Sequence, residues 1–385
     1  MSERTALPVC DADSHLMEPP NWLEDYAEAS IRERLKPVGL VDSEMMSKIV
    51  GAAQRRLDGQ EPETDALLRS DLSHSLQKGW LGLGAMEGSE RGALLDLMRV
   101  SYQLVFPTLA LTQFARTRDL DLLYGGSRAL NRGMVDFCAS DPRVLPIGYL
   151  PLTDPERALE LAKEAVAGGS SALWVPSDAP GKISPAHTDF YPIWSLLEEA
   201  RVPIVLHVGG GALLPQEYHR NGRPMPKDWS GGGENLRMKD FPVLHHSPER
   251  FLSCMVLDGI FERFSELRCG VIEQGAAWVP ALMQHVDAAA RNFGKFEPEL
   301  KNLSLKPSEY LRRQVRVTPL VFEDVEWLIE SAGPELFLFS TDFPHPEGGR
   351  DPFGKFEASL GKIGEKERRL FYADNFLDLM QIEAA

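Results

Sequence analysis

The chain has 385 residues, 43% hydrophobic and 25% charged, an ordinary globular composition that argues against disorder. Its 41 basic and 57 acidic side chains leave a net charge of −16, which repels phosphate backbones and anionic bilayers. Nucleic acid and membranes are therefore excluded as expected partners, and a small-molecule substrate is left. Four cysteines without a C-x-x-C pair make no disulfide framework, and neither a signal-peptide pattern nor an apolar run of membrane length is found, so a cytoplasmic protein is expected.

The first apolar run, LPVCDAD (7–13), predicts a strand that ends in the polar stretch Asp11-Ala12-Asp13-Ser14-His15. Residues 19–90 are polar and partly helical, longer than an ordinary connection, and are expected to form an insertion or cap. YQLVFP (102–107) is the second predicted strand, and VLPIGYLPL (144–152) the third. Thr153-Asp154-Pro155-Glu156 then supplies a capping residue, a proline for the first helical turn and an acid for the helix dipole. Gly168-Gly169 ends that helix. Strands follow at SALWVPS (171–177), VPIVLHVGG (202–210), LRCGVIEQG (267–275), VRVTPLV (315–321) and LFLFSTDF (336–343), with helices at 193–200 and around 249–265. Residues 211–240, rich in glycine, proline and arginine, are expected to be a lid or a subunit contact.

Eight apolar strands alternating with helices predict an α/β fold, a (β/α)₈ TIM barrel read as one domain over 1–385. A doubly wound sheet would carry a glycine-rich turn after the first strand, where this chain has DADSHLMEPP. A barrel gathers the C-terminal ends of its strands around one site. Period-two alternation puts Asp11, Asp13 and His15 on one side of the first strand; His207 ends the fifth, Glu273-Gln274 the sixth, and Asp342 with His345 the eighth. Charged groups buried there need a partner or a cation. Asp13, His15, His207 and Asp342 are the expected ligands of one divalent metal ion, with zinc as the first expectation and manganese or magnesium as alternatives.

Asp13-x-His15 followed by Glu18-Pro19, His207 after VPIVL, and Ser340-Thr341-Asp342-Phe343-Pro344-His345 together resemble the amidohydrolase-related metalloenzymes. The closest branch is the one holding aminocarboxymuconate-semialdehyde decarboxylase and the resorcylate decarboxylases, and the likeness spans about 8–380. It implies a metal-bearing barrel that hydrolyses or decarboxylates a small carboxylated, often aromatic, compound. It also implies Asp13, His15, His207 and Asp342 as ligands, Asp342 as a proton shuttle, and assembly as a homodimer or larger homo-oligomer. Two departures stand out. Asp13 replaces the histidine or glutamate of most relatives, which makes the site harder. An ungapped match from AAWVP (276–280) puts Gln274 where the decarboxylases carry an acid–base histidine.

Glutamine carries no proton, so Glu273, or the histidines at 245 and 246, is the expected substitute; Glu273 and His246 join Asp342 as candidate catalytic residues. His345, Trp278 and, in the long fifth loop, Arg237 with Arg220 and Arg223 are candidate substrate contacts. The expected activity is hydrolysis through a metal-activated water, with Asp342 accepting its proton. Non-oxidative decarboxylation of an aromatic or muconate-type acid is the alternative, and a non-catalytic barrel that binds a metal or ligand the third.

Overall fold

A computed structural model describes residues 7–36, 44–70, 72–177, 181–209, 214–224, 238–349 and 351–383. Seven strands lie in chain order in one all-parallel sheet: β1 (Cys10–Leu16), β2 (Tyr102–Pro107), β3 (Val144–Tyr149), β4 (Ala172–Trp174), β5 (Ile204–His207), β6 (Cys269–Ile272) and β7 (Val315–Val317). Nearly every strand residue is buried, as a sheet covered on both faces requires. Helices connect the strands. Pro155–Gly168 starts where the sequence signals it, with the Asp154 side chain accepting from the Arg157 N–H and Gly169 in the left-handed region at its end.

The eighth apolar run is not a regular strand. It bridges both edges of the sheet instead: Phe337 pairs with Val317 of β7 and Phe343 with Ser14 of β1, both in parallel. Leu338 N donates to Val317 O at 3.0 Å, Ala12 N to Phe339 O at 3.1 Å and Asp342 N to Asp13 O at 2.9 Å. Regular pairing fails because Phe339 N is taken by Phe371 O of the C-terminal segment, and because Asp342 turns left-handed at φ 50°. The chain direction that matters survives, and residue 342 arrives next to residue 13.

Between β1 and β2 the chain forms six α-helices among the described residues, from Trp22–Tyr26 to Arg91–Met98. Met17, Ala53, Trp80, Ala85 and Met86 give this segment a small apolar cluster of its own. Arg91 ties it to the sheet. Fully buried, its guanidinium donates to Gly84 O at 2.6 Å, to Gln103 Oε1 at 2.8 Å and to the carbonyl of His15, between the rings of Phe137 and Phe343. Burial draws its pKa down to about 10, still charged at neutral pH. Arg91→Met should therefore cost about 3 kcal/mol or more, since three buried acceptors lose a charged donor. A urea midpoint within experimental error of the parent would contradict the clamp.

Among the described residues no helix is long and apolar enough to cross a membrane.

Candidate metal centre

β1 carries the first two candidate side chains inside the strand, which starts three residues later than its apolar pattern suggests. Alternation alone would send Asp11 with them. The pairing of β1 with β2 instead shifts register between Asp11 and Ser14. The Asp11 carboxylate is occupied elsewhere, accepting from Thr341 N (2.8 Å), Thr341 Oγ1 (2.6 Å) and Gln103 Nε2 (2.9 Å). It staples β1 to β2 and to the closing segment, while Asp13 and His15 turn to the strand ends.

His15 Nδ1 donates to Pro107 O at 3.2 Å and His207 Nδ1 to Val208 O at 2.7 Å, because a carbonyl can only accept. In a neutral ring this fixes the lone pair on Nε2. Burial pushes the His15 pKa down to about 3, so that ring is neutral. Its Nε2 lies 3.3 Å from Asp13 Oδ1 and 3.5 Å from Asp342 Oδ1. His207 Nε2 lies 3.4 Å from Asp13 Oδ1 and 3.5 Å from Glu273 Oε2. An imidazole lone pair facing carboxylate oxygens in a dry pocket repels them unless a cation sits between. Asp13, His15, His207 and Glu273 each offer one such atom, all within 4.8 Å of one another. The donor set fits a divalent ion.

Glu273 and Asp342 both follow the end of a strand segment in the left-handed region, at φ 56° and φ 50°. Such backbones cost energy for residues other than glycine and persist only where surroundings enforce them. Asp342 is held by its N–H on Asp13 O and by His345 N on its own carbonyl at 2.8 Å. Burial raises its pKa to about 6. His345, expected as a substrate contact, stands behind it: Nδ1 is 3.1 Å from Asp342 Oδ1, Nε2 is 2.9 Å from Thr108 Oγ1, and the ring stacks on His15 at 3.9 Å.

Not every candidate comes together here. Gln274 is buried. His246 is exposed at the start of the helix His246–Leu257, its ring against His245 at 4.9 Å. His245 stacks at 6.3 Å on Trp278, whose indole N–H donates to Gly275 O at 2.7 Å and so pins the turn after β6. Arg220 and Arg223 are exposed, and Arg237 lies outside the described residues.

Two residues escaped the sequence reading. Thr108 follows β2 directly, and the strand-end rule applied there would have found it. Lys78 gave no signal, because it comes from the segment between β1 and β2. It is half-buried on a stretch whose next residue, Gly79, donates its N–H to Pro344 O at 2.8 Å. Burial lowers the Lys78 pKa, opposed by the negative charges of Asp342, Glu347 and Asp11.

This architecture is shared with solved structures. An amidohydrolase from Mycobacterium avium subsp. paratuberculosis K-10 superposes with a TM-score of 0.73 at 20% identity, over 98% of this chain and all of that one. 5-Carboxyvanillate decarboxylase from Sphingomonas paucimobilis gives 0.63 at 17% identity, over 98% and 100%. A dihydroxybenzoic acid decarboxylase from Polaromonas sp. JS666, holding manganese and the inhibitor 2-nitroresorcinol, gives 0.61 at 17%, over 98% of each chain. At these identities the likeness establishes the fold alone. No curated protein matches the chain by sequence. A family model for amidohydrolases does match residues 85–376, and with the sheet and the imidazole–carboxylate cluster in place the chain belongs to the amidohydrolase family, as an enzyme.

Proposed function

We propose that this enzyme is a metal-dependent, non-oxidative decarboxylase of a small hydroxylated aromatic acid. The observation that carries the reading is the pairing of Asp342 with His345 beside the cluster: a buried carboxyl with a pKa near 6, 3.1 Å from an imidazole, is a proton donor of the strength this chemistry needs. Hydrolysis was the expected activity because Gln274 was read into the acid–base position. In the structure Glu273 reaches the cluster and His345 backs Asp342, so groups able to carry a proton are present. The decarboxylases of similar fold act on 5-carboxyvanillate and dihydroxybenzoate, and the surroundings of His207 here are aromatic: Phe106 at 4.3 Å and Trp174 at 5.0 Å between ring centroids. The buried Trp174 indole N–H has no acceptor among the described residues.

Asp13, His15 and His207 would hold the ion. A divalent cation there supplies Lewis-acid polarisation of a substrate oxygen, and carboxylate-rich donors suit manganese or magnesium ahead of zinc. Lys78, near enough for the charge of Asp342 to oppose the fall of its pKa, would offset the charge of the substrate carboxylate. Asp342, in its acid form, gives its proton to the ring carbon that bears the carboxylate. The carbon–carbon bond then breaks, its electron pair restores the ring, and carbon dioxide leaves. The Asp342 carboxylate regains a proton from solvent, with His345 as its neighbour.

The test is incubation of the manganese-loaded enzyme with 2,6-dihydroxybenzoate and with 5-carboxyvanillate in deuterated water. One ring deuterium per carbon dioxide released is the expected result. Solvent ¹⁸O in the product of an ester or amide substrate, with no carbon dioxide from either acid, would make the enzyme a hydrolase.

A further inference from the structure

We infer that the indole N–H of Trp174 is the hydrogen-bond donor that reads an oxygen substituent on the substrate's aromatic ring. The inference rests on the decarboxylase reading above and deepens it, by naming a residue that selects among aromatic acids. Trp174 is 2% exposed, and its N–H has no acceptor among the described residues. The other buried tryptophans of the described chain each find one. Trp80 Nε1 donates to Glu18 O at 3.2 Å, Trp194 Nε1 to Pro185 O at 3.2 Å and Trp278 Nε1 to Gly275 O at 2.7 Å. An indole nitrogen can only donate, and a donor left dry and unpaired costs stability. The fold pairs three such donors with its own main chain and holds the fourth beside the ligand cluster.

Its place follows from strand register. Trp174 closes β4 and pairs with Val205 of β5, so His207 lies two residues farther along the same face of the sheet. The indole stands 5.0 Å from the His207 ring and 6.0 Å from that of Phe106 on β2, with β3 between the two strands. Phe106 in turn reaches His207 at 4.3 Å, past both β3 and β4, and only the concave inner face of the sheet allows that contact. Trp174 therefore shares the inner face with the candidate ligands. His207 offers it no acceptor, because Nδ1 donates to Val208 O and Nε2 faces Asp13 Oδ1 and Glu273 Oε2. A small aromatic acid seated at the cluster comes within a ring's breadth of the indole. The partner that suits a neutral N–H there is a phenolate, hydroxyl or methoxy oxygen on the ring. A substrate with bare carbon at that position would strand the donor, and a site that hydrogen-bonds an oxygen rejects the analogue lacking it. Trp174 thus selects acids that carry a further ring oxygen beside the carboxylate.

The experiment compares two unreactive nitro analogues, 2-nitroresorcinol and 2-nitrophenol, which differ by one ring hydroxyl. Protein loaded with Mg²⁺ is diamagnetic, so proton–¹⁵N spectra resolve its indole N–H groups, and calorimetry gives the Kd of each compound. The Trp174 resonance is the one absent from W174F or, should that variant fail to melt cooperatively, from W174L. 2-Nitroresorcinol should bind wild type at least about fivefold more tightly than 2-nitrophenol, the scale of one buried donor satisfied or left unpaired. It should also move the Trp174 N–H proton downfield, as a hydrogen bond to oxygen does. In the variant the preference should vanish. Equal affinities in wild type overturn the inference. So does a Trp174 resonance that 2-nitroresorcinol leaves in place, the result expected of an N–H that rests on a neighbouring ring or serves packing alone. A preference that survives in the variant overturns it as well. Wild type that binds neither compound, and releases no carbon dioxide from 2,6-dihydroxybenzoate or 5-carboxyvanillate, instead sinks the aromatic-acid reading on which the inference stands, a result distinguishable from the others.

Discussion

Asp342→Asn should lower turnover of whichever hydroxybenzoate the wild type decarboxylates by about 10²- to 10⁴-fold, the usual loss when a positioned acid–base group is removed. The amide keeps the shape of the carboxyl but carries no transferable proton. Asparagine also tolerates the left-handed backbone at φ 50° better than most residues, so the fold should be retained. The sign of the pH effect follows from the raised pKa. Burial stabilises the protonated form of Asp342, up to about pH 6, and the acid form is depleted tenfold for each unit above it. If that form is the donor, kcat/KM should fall as pH rises through about 6, and D342N should lose this limb along with the rate. Parent-like turnover in D342N, with the limb intact, would remove Asp342 from proton transfer.

His207→Ala should weaken divalent-metal binding by about 10²-fold or more, beyond what loss of a merely orienting group costs. Its ring supplies an Nε2 whose tautomer is set by the Val208 carbonyl, and it stands between Asp13 and Glu273. Without it those two carboxylates face each other with no imidazole between them. Metal content after equilibrium dialysis measures the effect directly. Thermal melting measures it independently, because an ion that binds only the folded state raises stability in proportion to the logarithm of its concentration over Kd. Manganese should therefore raise the Tm of wild type and leave that of H207A nearly unchanged. Full occupancy in the variant would strike His207 from the ligand set.

The strand-end rule explains why so much of the site could be read in advance. Asp13 with His15, His207, and Asp342 with His345 come from three distant stretches of the chain, yet each follows or closes an apolar run, and a parallel sheet brings such ends together. Where reading failed, the cause was local geometry. Strand periodicity cannot see a residue at φ 56°, so the turn after β6, and not the apolar pattern, brings the Glu273 carboxylate within 3.5 Å of His207 Nε2. The start of β1 was read three residues early for a related reason. A strand holding Asp11, Asp13 and His15 looks like a loop until Thr341, Gln103 and Pro107 are there to receive them.

By itself the sequence determined the alternation of apolar strands and helices, the caps that start and stop those helices, and the placing of metal-type side chains at strand ends. Those are short-range properties: hydrophobic period, turn chemistry and the cost of burying charge act within a few residues. Only the tertiary structure decided that the eighth run would join both edges of the sheet by single bridges, that Asp11 would serve as a staple, and that His345 would back Asp342. The bridges and the staple join residues far apart in the chain, and the His345–Asp342 pair, though close in sequence, depends on the turn that Asp342 takes beside Asp13; such contacts have no signature until folding supplies the partner.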